Sequence, residues 1–98
     1  MSKKLVLVTA DWAPFSGKVE RLCKETAEKL GVELEVRKED WIYLSRHGEK
    51  DELGGYDIPQ IFVEEEGKVK HLLTRVPLTS EGRPDFETVR RIIEEALK

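Results

Sequence analysis

The chain is 98 residues long, 38% of them charged, with a formal net charge of −3. That length suits one domain, residues 1–98, built on a single core. Positive and negative charges nearly balance over residues 1–50, and the acidic excess over 51–98 is mild, so the sequence predicts neither a nucleic-acid partner nor an acidic tail. The apolar run Leu5-Val6-Leu7-Val8 ends well before Asp11, too short for a signal-peptide core or a membrane span. Cys23 is the single cysteine, which excludes an intrachain disulfide, and the expected setting is cytoplasmic with no membrane partner. Asparagine is absent and Gln60 is the only glutamine; with so much Lys and Glu, the composition reads as thermophilic.

The first predicted element is a strand at Leu5–Thr9, whose unbroken apolar character suits burial on both faces of a sheet. A helix follows over Gly17–Leu30, with Val19, Leu22, Cys23, Thr26 and Leu30 on one face. Ser16 is expected to cap its start and Gly31 to end it in a left-handed conformation. Val32, Leu34 and Val36 alternate with Glu33, Glu35 and Arg37, a second strand with one drier face. Between Asp40 and Leu53, Trp41, Ile42, Leu44 and Leu53 fit a helix loosely, broken at Gly48, and Gly54-Gly55 is a stop signal.

Ile58–Val63 reads as a strand with Pro59 at its entry, one of the few strand positions proline tolerates. Glu64-Glu65-Glu66-Gly67 is expected to be a solvated hairpin turn, and Val69–Val76 the returning strand. Pro84 is expected in the first turn of a last helix, whose apolar face is Phe86, Val89, Ile93, Ala96 and Leu97. The order is β-α-β-α-β-β-α: an α/β protein with a right-handed parallel unit followed by an antiparallel hairpin.

Two segments carry the chemistry. Trp12-Ala13-Pro14-Phe15-Ser16 sits at the strand-to-helix corner, where a C-x-x-C would read as a redox motif. Ile58-Pro59-Gln60-Ile61-Phe62 opens the third strand. Together, and with the element order of nearly the whole chain, they resemble the thioredoxin/glutaredoxin superfamily. The resemblance implies a thioredoxin-like fold, a mixed four-stranded sheet with helices on both faces. It also implies a cis bond at Pro59 and thiol–disulfide exchange with a protein or small-molecule disulfide and an unidentified electron donor, without a cofactor.

In that family the two motif cysteines attack and then resolve a mixed disulfide, and here their positions hold Ala13 and Ser16. By the same resemblance Trp12, Pro14 and Phe15 shape access, while Ile58 and Pro59 present backbone to substrate. A chain without either sulfur cannot complete dithiol exchange. Two origins fit: a double substitution of an active oxidoreductase reading Trp-Cys-Pro-Phe-Cys, or a naturally redox-inactive relative that docks extended peptides in the groove beside Pro59. Glutaredoxins carry a Gly-Gly pair and an acidic residue after the hairpin to hold glutathione. Leu72–Pro77 stands there instead, and Gly54-Gly55 lies too early to replace it, which argues against glutathione.

Outside the motif, Cys23 reads as a buried small hydrophobe. His47 and His71 lack neighbours spaced for a metal site, so no metal is expected. Ser16 has no evident base or oxyanion hole to make it a nucleophile.

Overall fold

The computed structural model describes residues 2–98. Its central strand, β1 (Lys3–Thr9), pairs in parallel with β2 (Glu33–Lys38) and antiparallel with β3 (Gln60–Glu65). The hairpin partner β4 (Lys68–Thr74) completes a sheet of order β2-β1-β3-β4. Leu5 through Ala10 are fully buried, because helices cover both sides of β1 as its continuous apolar run demands.

One layer holds Leu5, Leu7, Ile61 and Val63 against α1 (Ser16–Leu30) and α3 (Phe86–Leu97), which contribute Val19, Cys23, Ala27, Val89, Ile93 and Leu97. The other holds Val6, Val8 and Phe62 against Tyr43 and Leu44 of α2 (Trp41–His47). The period of two in β1 and β3 assigns each side chain to its layer. This mixed four-stranded sheet with helices on both faces is a thioredoxin-like fold. No helix among the described residues is long and apolar enough to cross a membrane.

Several boundaries follow the sequence. Gly31 ends α1 at φ 71°, where its N–H and that of Val32 satisfy the carbonyls of Glu28 and Ala27. Glu66 and Gly67, at φ 52° and 79°, make the tight β3–β4 turn.

Others depart from it. Ser16 does not cap α1: the cap residue is Phe15, at φ 58°, and the Ser16 hydroxyl instead donates to the Asp11 carbonyl at 3.1 Å. The chain enters α1 through too tight a corner for the serine to reach forward. Pro84 lies ahead of α3 rather than in its first turn; Asp85 is the cap, accepting from the Thr88 amide at 3.0 Å and its hydroxyl at 2.7 Å. β4 stops at Thr74, because Arg75 turns to φ 61°.

Within the second helix region only Leu44 of the four expected apolar residues reaches the core. Trp41, Ile42 and Leu53 are exposed, and Tyr43 takes the buried place. Glu64 is not a solvated turn residue. It accepts from the Tyr43 hydroxyl at 2.6 Å and lies 3.5 Å from Lys4, and these partners hold its carboxyl below the ordinary value, the Tyr43 hydrogen bond foremost.

Asp40 caps α2 through the Tyr43 amide at 2.9 Å and pairs with Arg37 at 2.8 Å. The amide hydrogen bond and the guanidinium keep its carboxyl below the usual range. Replacing Asp40 with Ala is expected to cost about 1 kcal/mol of stability near neutral pH. Because the folded pKa is depressed, the native advantage is complete above the unfolded value of about 3.9 and fades as pH falls through the lower folded value. Urea titrations of both proteins at neutral and strongly acidic pH check this: the gap should narrow in acid.

Candidate functional site

β1 delivers the chain to the site. After Ala10 the backbone turns through hydrogen bonds from Ala13 N–H to the Ala10 carbonyl at 3.0 Å and from Ser16 N–H to the Ala13 carbonyl at 3.1 Å. Phe15 then takes a left-handed conformation that bulky residues rarely adopt. Its ring meets Phe86 of α3 edge-on, with centroids 5.8 Å apart, which anchors the corner to the last helix.

The corner faces Ile58-Pro59, where the peptide bond is cis. Between them runs a groove of about 640 Å³. Of the residues expected at the site, Trp12, Pro14, Phe15, Ile58 and Pro59 all line it. Trp12 is 64% exposed and Phe15 43%, so their apolar surface faces the groove rather than the core. Ala13 and Ser16 do not line it. Ala13 is only 5% exposed and packs with Ala10 and Ile58 in the α2 layer. Ser16 heads α1, its hydroxyl engaged with Asp11.

No motif in the sequence marks the opposite wall. It comes from Leu73 and Thr74 at the end of β4, from Arg75-Val76-Pro77-Leu78 beyond it, and from Tyr56 and Asp57 before Ile58. Arg75 is the pivot: its N–H donates to the Pro59 carbonyl at 2.8 Å and its side chain lies 3.8 Å from Asp57. The signal for this wall was the Leu72–Pro77 segment, visible in the sequence only as a departure from the glutaredoxin pattern. By contrast, the Ile58 N–H and C=O make no hydrogen bond among the described residues.

Gln60, directly after Pro59, is fully buried. Its amide nitrogen donates to the carbonyls of Asp57 at 2.8 Å and Glu49 at 3.0 Å, and its oxygen accepts from the Glu49 N–H at 2.9 Å. These bonds tie the segment carrying Tyr56 and Asp57 to β3. Gly48 fits beside this clamp because a Cβ there would lie 2.8 Å from the Leu44 carbonyl oxygen and 3.0 Å from the Gln60 amide oxygen.

The first-turn amides of Gly17 and Lys18 have no acceptor among the described residues. Together with the α1 dipole they would favour a negative group beside the corner. Among the described residues no three His, Cys, Asp or Glu side chains gather as a metal site. His71 instead meets Thr74 Oγ1 at 2.7 Å through Nε2, and its ring lies edge-on to Phe62.

No family model and no curated protein matches the chain. Among solved structures, it is similar to maleylacetoacetate isomerase from Anaeromyxobacter dehalogenans 2CP-1 with glutathione bound in the active site. The two share 20% identity over 84% of this chain and 44% of that one, with a TM-score of 0.41. The chain thus spans less than half of that protein's length.

Cys23 lies away from the groove, fully buried on α1 among Val19, Leu5 and Ile93, and burial pushes its thiol up to about 12. Thiolate is the reactive form, so Cys23 is expected to label slowly with a maleimide in the native protein and rapidly in denaturant. Fast native labelling at neutral pH would move Cys23 into the functional set.

Proposed function

We propose that the chain is a thiol–disulfide oxidoreductase scaffold of thioredoxin type, redox-inactive as written because Ala13 and Ser16 occupy the sulfur positions. One observation carries the reading: two segments more than forty residues apart, Trp12–Phe15 and Ile58-Pro59, line one apolar groove at the mouth of α1. The unpaired Ile58 amide and carbonyl suit an extended chain, which could add there by strand-like hydrogen bonds. Protein disulfides are the proposed substrates of the active form, with a dithiol reductant as electron donor.

With cysteines at positions 13 and 16, exchange on such a scaffold takes two steps. A thiolate at position 13 attacks one sulfur of a disulfide, releasing the other as thiolate. A thiolate at position 16, its proton lost to solvent, then attacks the sulfur at position 13 and frees the substrate's second thiolate. The protein is left with an intramolecular disulfide, which the dithiol reductant reduces. The free amides at the start of α1 favour the thiolate at position 13.

The inward packing of Ala13 favours a second reading, a module that docks extended peptides without chemistry, since exchange needs a sulfur that the disulfide can reach. The Ala13→Cys, Ser16→Cys double variant separates the two. It is expected to turn over a protein disulfide with dithiothreitol, while the chain as written shows only the uncatalysed rate. A folded double variant whose new cysteines form and lose a disulfide, yet which gives no turnover, would sink the redox reading.

Glutathione is not the proposed ligand. Arg75-Val76-Pro77-Leu78, with bulky side chains and a proline that lacks an amide hydrogen, forms the wall where the family's Gly-Gly pair would stand. Isothermal titration with reduced glutathione should show no saturable heat; micromolar binding would place the protein on the glutaredoxin side.

A further inference from the structure

The sheet ends in two strands, β2 and β4, and their open edges differ in charge. β4 carries Lys68 and Lys70 with no acidic residue, and its pairing with β3 has a register shift at Ile61/Phe62. One sign of charge and an irregular ladder discourage further pairing. β2 carries both signs, Glu33 and Glu35 followed by Arg37 and Lys38, around the apolar pair Leu34 and Val36. Leu34 packs toward the α1 layer, whereas Arg37 pairs with Glu35 at 2.7 Å and lies over the Tyr43 ring on the α2 side.

Val36 is half-buried and is not among the side chains packed into either layer. Past the end of β2, Trp41 and Ile42 stay 42% and 69% exposed. With the Glu35–Lys38 edge they border a trough of about 540 Å³. An open edge beside exposed large apolar side chains is a surface that soluble proteins usually cover.

We propose that the partner is a second copy of this chain, paired antiparallel along β2 about a two-fold axis at Val36. A two-fold axis normal to the sheet keeps each layer on its own side, so residues of like parity oppose one another. With the axis at Val36, valine meets valine, Glu35 meets the second copy's Arg37 on both sides, and Leu34 meets the stem of the second copy's Lys38. Axes at Glu35 or Arg37 would set like charges directly opposite, and an axis at Leu34 would oppose Glu33 with Glu35; such pairs destabilise a sheet. Among the axes on Leu34 through Arg37, only Val36 avoids them. The result is a continuous eight-stranded sheet that leaves the groove beside Pro59 outside the interface.

Light scattering after size-exclusion chromatography tests this on the full chain. The expected mass is twice that of the monomer, falling to the monomer mass for Val36→Lys with an unchanged far-ultraviolet spectrum. A cross-link keeps the test decisive if that variant folds poorly. Directly opposed residues have Cβ atoms about 4.5–5.5 Å apart, so Val36→Cys should form a covalent dimer under a mild oxidant. Leu34→Cys and Lys38→Cys should each form no covalent cross-link alone and cross-link when mixed. A chain monomeric at every concentration, leaving the edge to a foreign strand, overturns the proposal. So does a dimer that survives Val36→Lys, or one that cross-links through Leu34→Cys alone.

Discussion

Everything in this molecule hangs from β1. A strand with an apolar run and no polar face can be stable only if both sides are covered, and that requirement recruits α1 and α3 on one side and α2 on the other. It also fixes where the run must end. Once the chain emerges from between the layers past Ala10, it has to turn, and it turns into the Trp12–Phe15 corner. The position of the groove is therefore a consequence of core burial.

The second half of the groove is held by polar contacts. Pro59 lies at the entry of β3, and the Arg75 amide reaches its carbonyl from the far side. Phe15 and Arg75, on opposite walls, both adopt positive φ. Left-handed conformations at residues of this size persist only where the surroundings fix them. Here Phe86 holds the first and the Pro59 carbonyl holds the second. On the α2 side a separate charge network of Lys4, Glu35, Arg37, Asp40, Tyr43 and Glu64 pairs groups that the sheet and helix leave half-buried, although the buried Arg37 Nε has no partner among the described residues.

Legibility in the sequence followed the range of the interaction. Elements governed by local periodicity were readable: the burial of β1, the Val19/Cys23 and Val89/Ile93/Leu97 faces, and the Gly31 and Gly67 turns. The corner and Ile58-Pro59 were readable as short motifs. The rest depended on contacts distant in sequence or on backbone turns that no residue type announces. Glu64 looks like a turn residue until Tyr43, twenty-one positions earlier, is seen to bond it. Tyr43 does not stand out beside its more hydrophobic neighbours Trp41 and Ile42, and only the entry angle of α2 decides which of them turns inward. Ser16 has the right residue type for a cap, but the αL turn at Phe15 directs its hydroxyl backward. The Arg75–Leu78 wall carries no signature of its own, since its role comes from where β4 happens to end.

The Gln60 clamp sets a narrow chemical tolerance at one position. Its NH2 group supplies two hydrogens to two carbonyl oxygens, while its own oxygen receives an amide hydrogen, all without solvent. A carboxylate of the same shape could satisfy the Glu49 amide but would turn an anionic oxygen toward the carbonyls of Glu49 and Asp57, and burial would drive it to take up a proton. The strand beside Pro59 and the segment bearing Tyr56 and Asp57 would then stay joined in acid and separate as the proton left. A single-atom exchange, nitrogen for oxygen, is enough to turn a fixed groove wall into one whose attachment depends on pH.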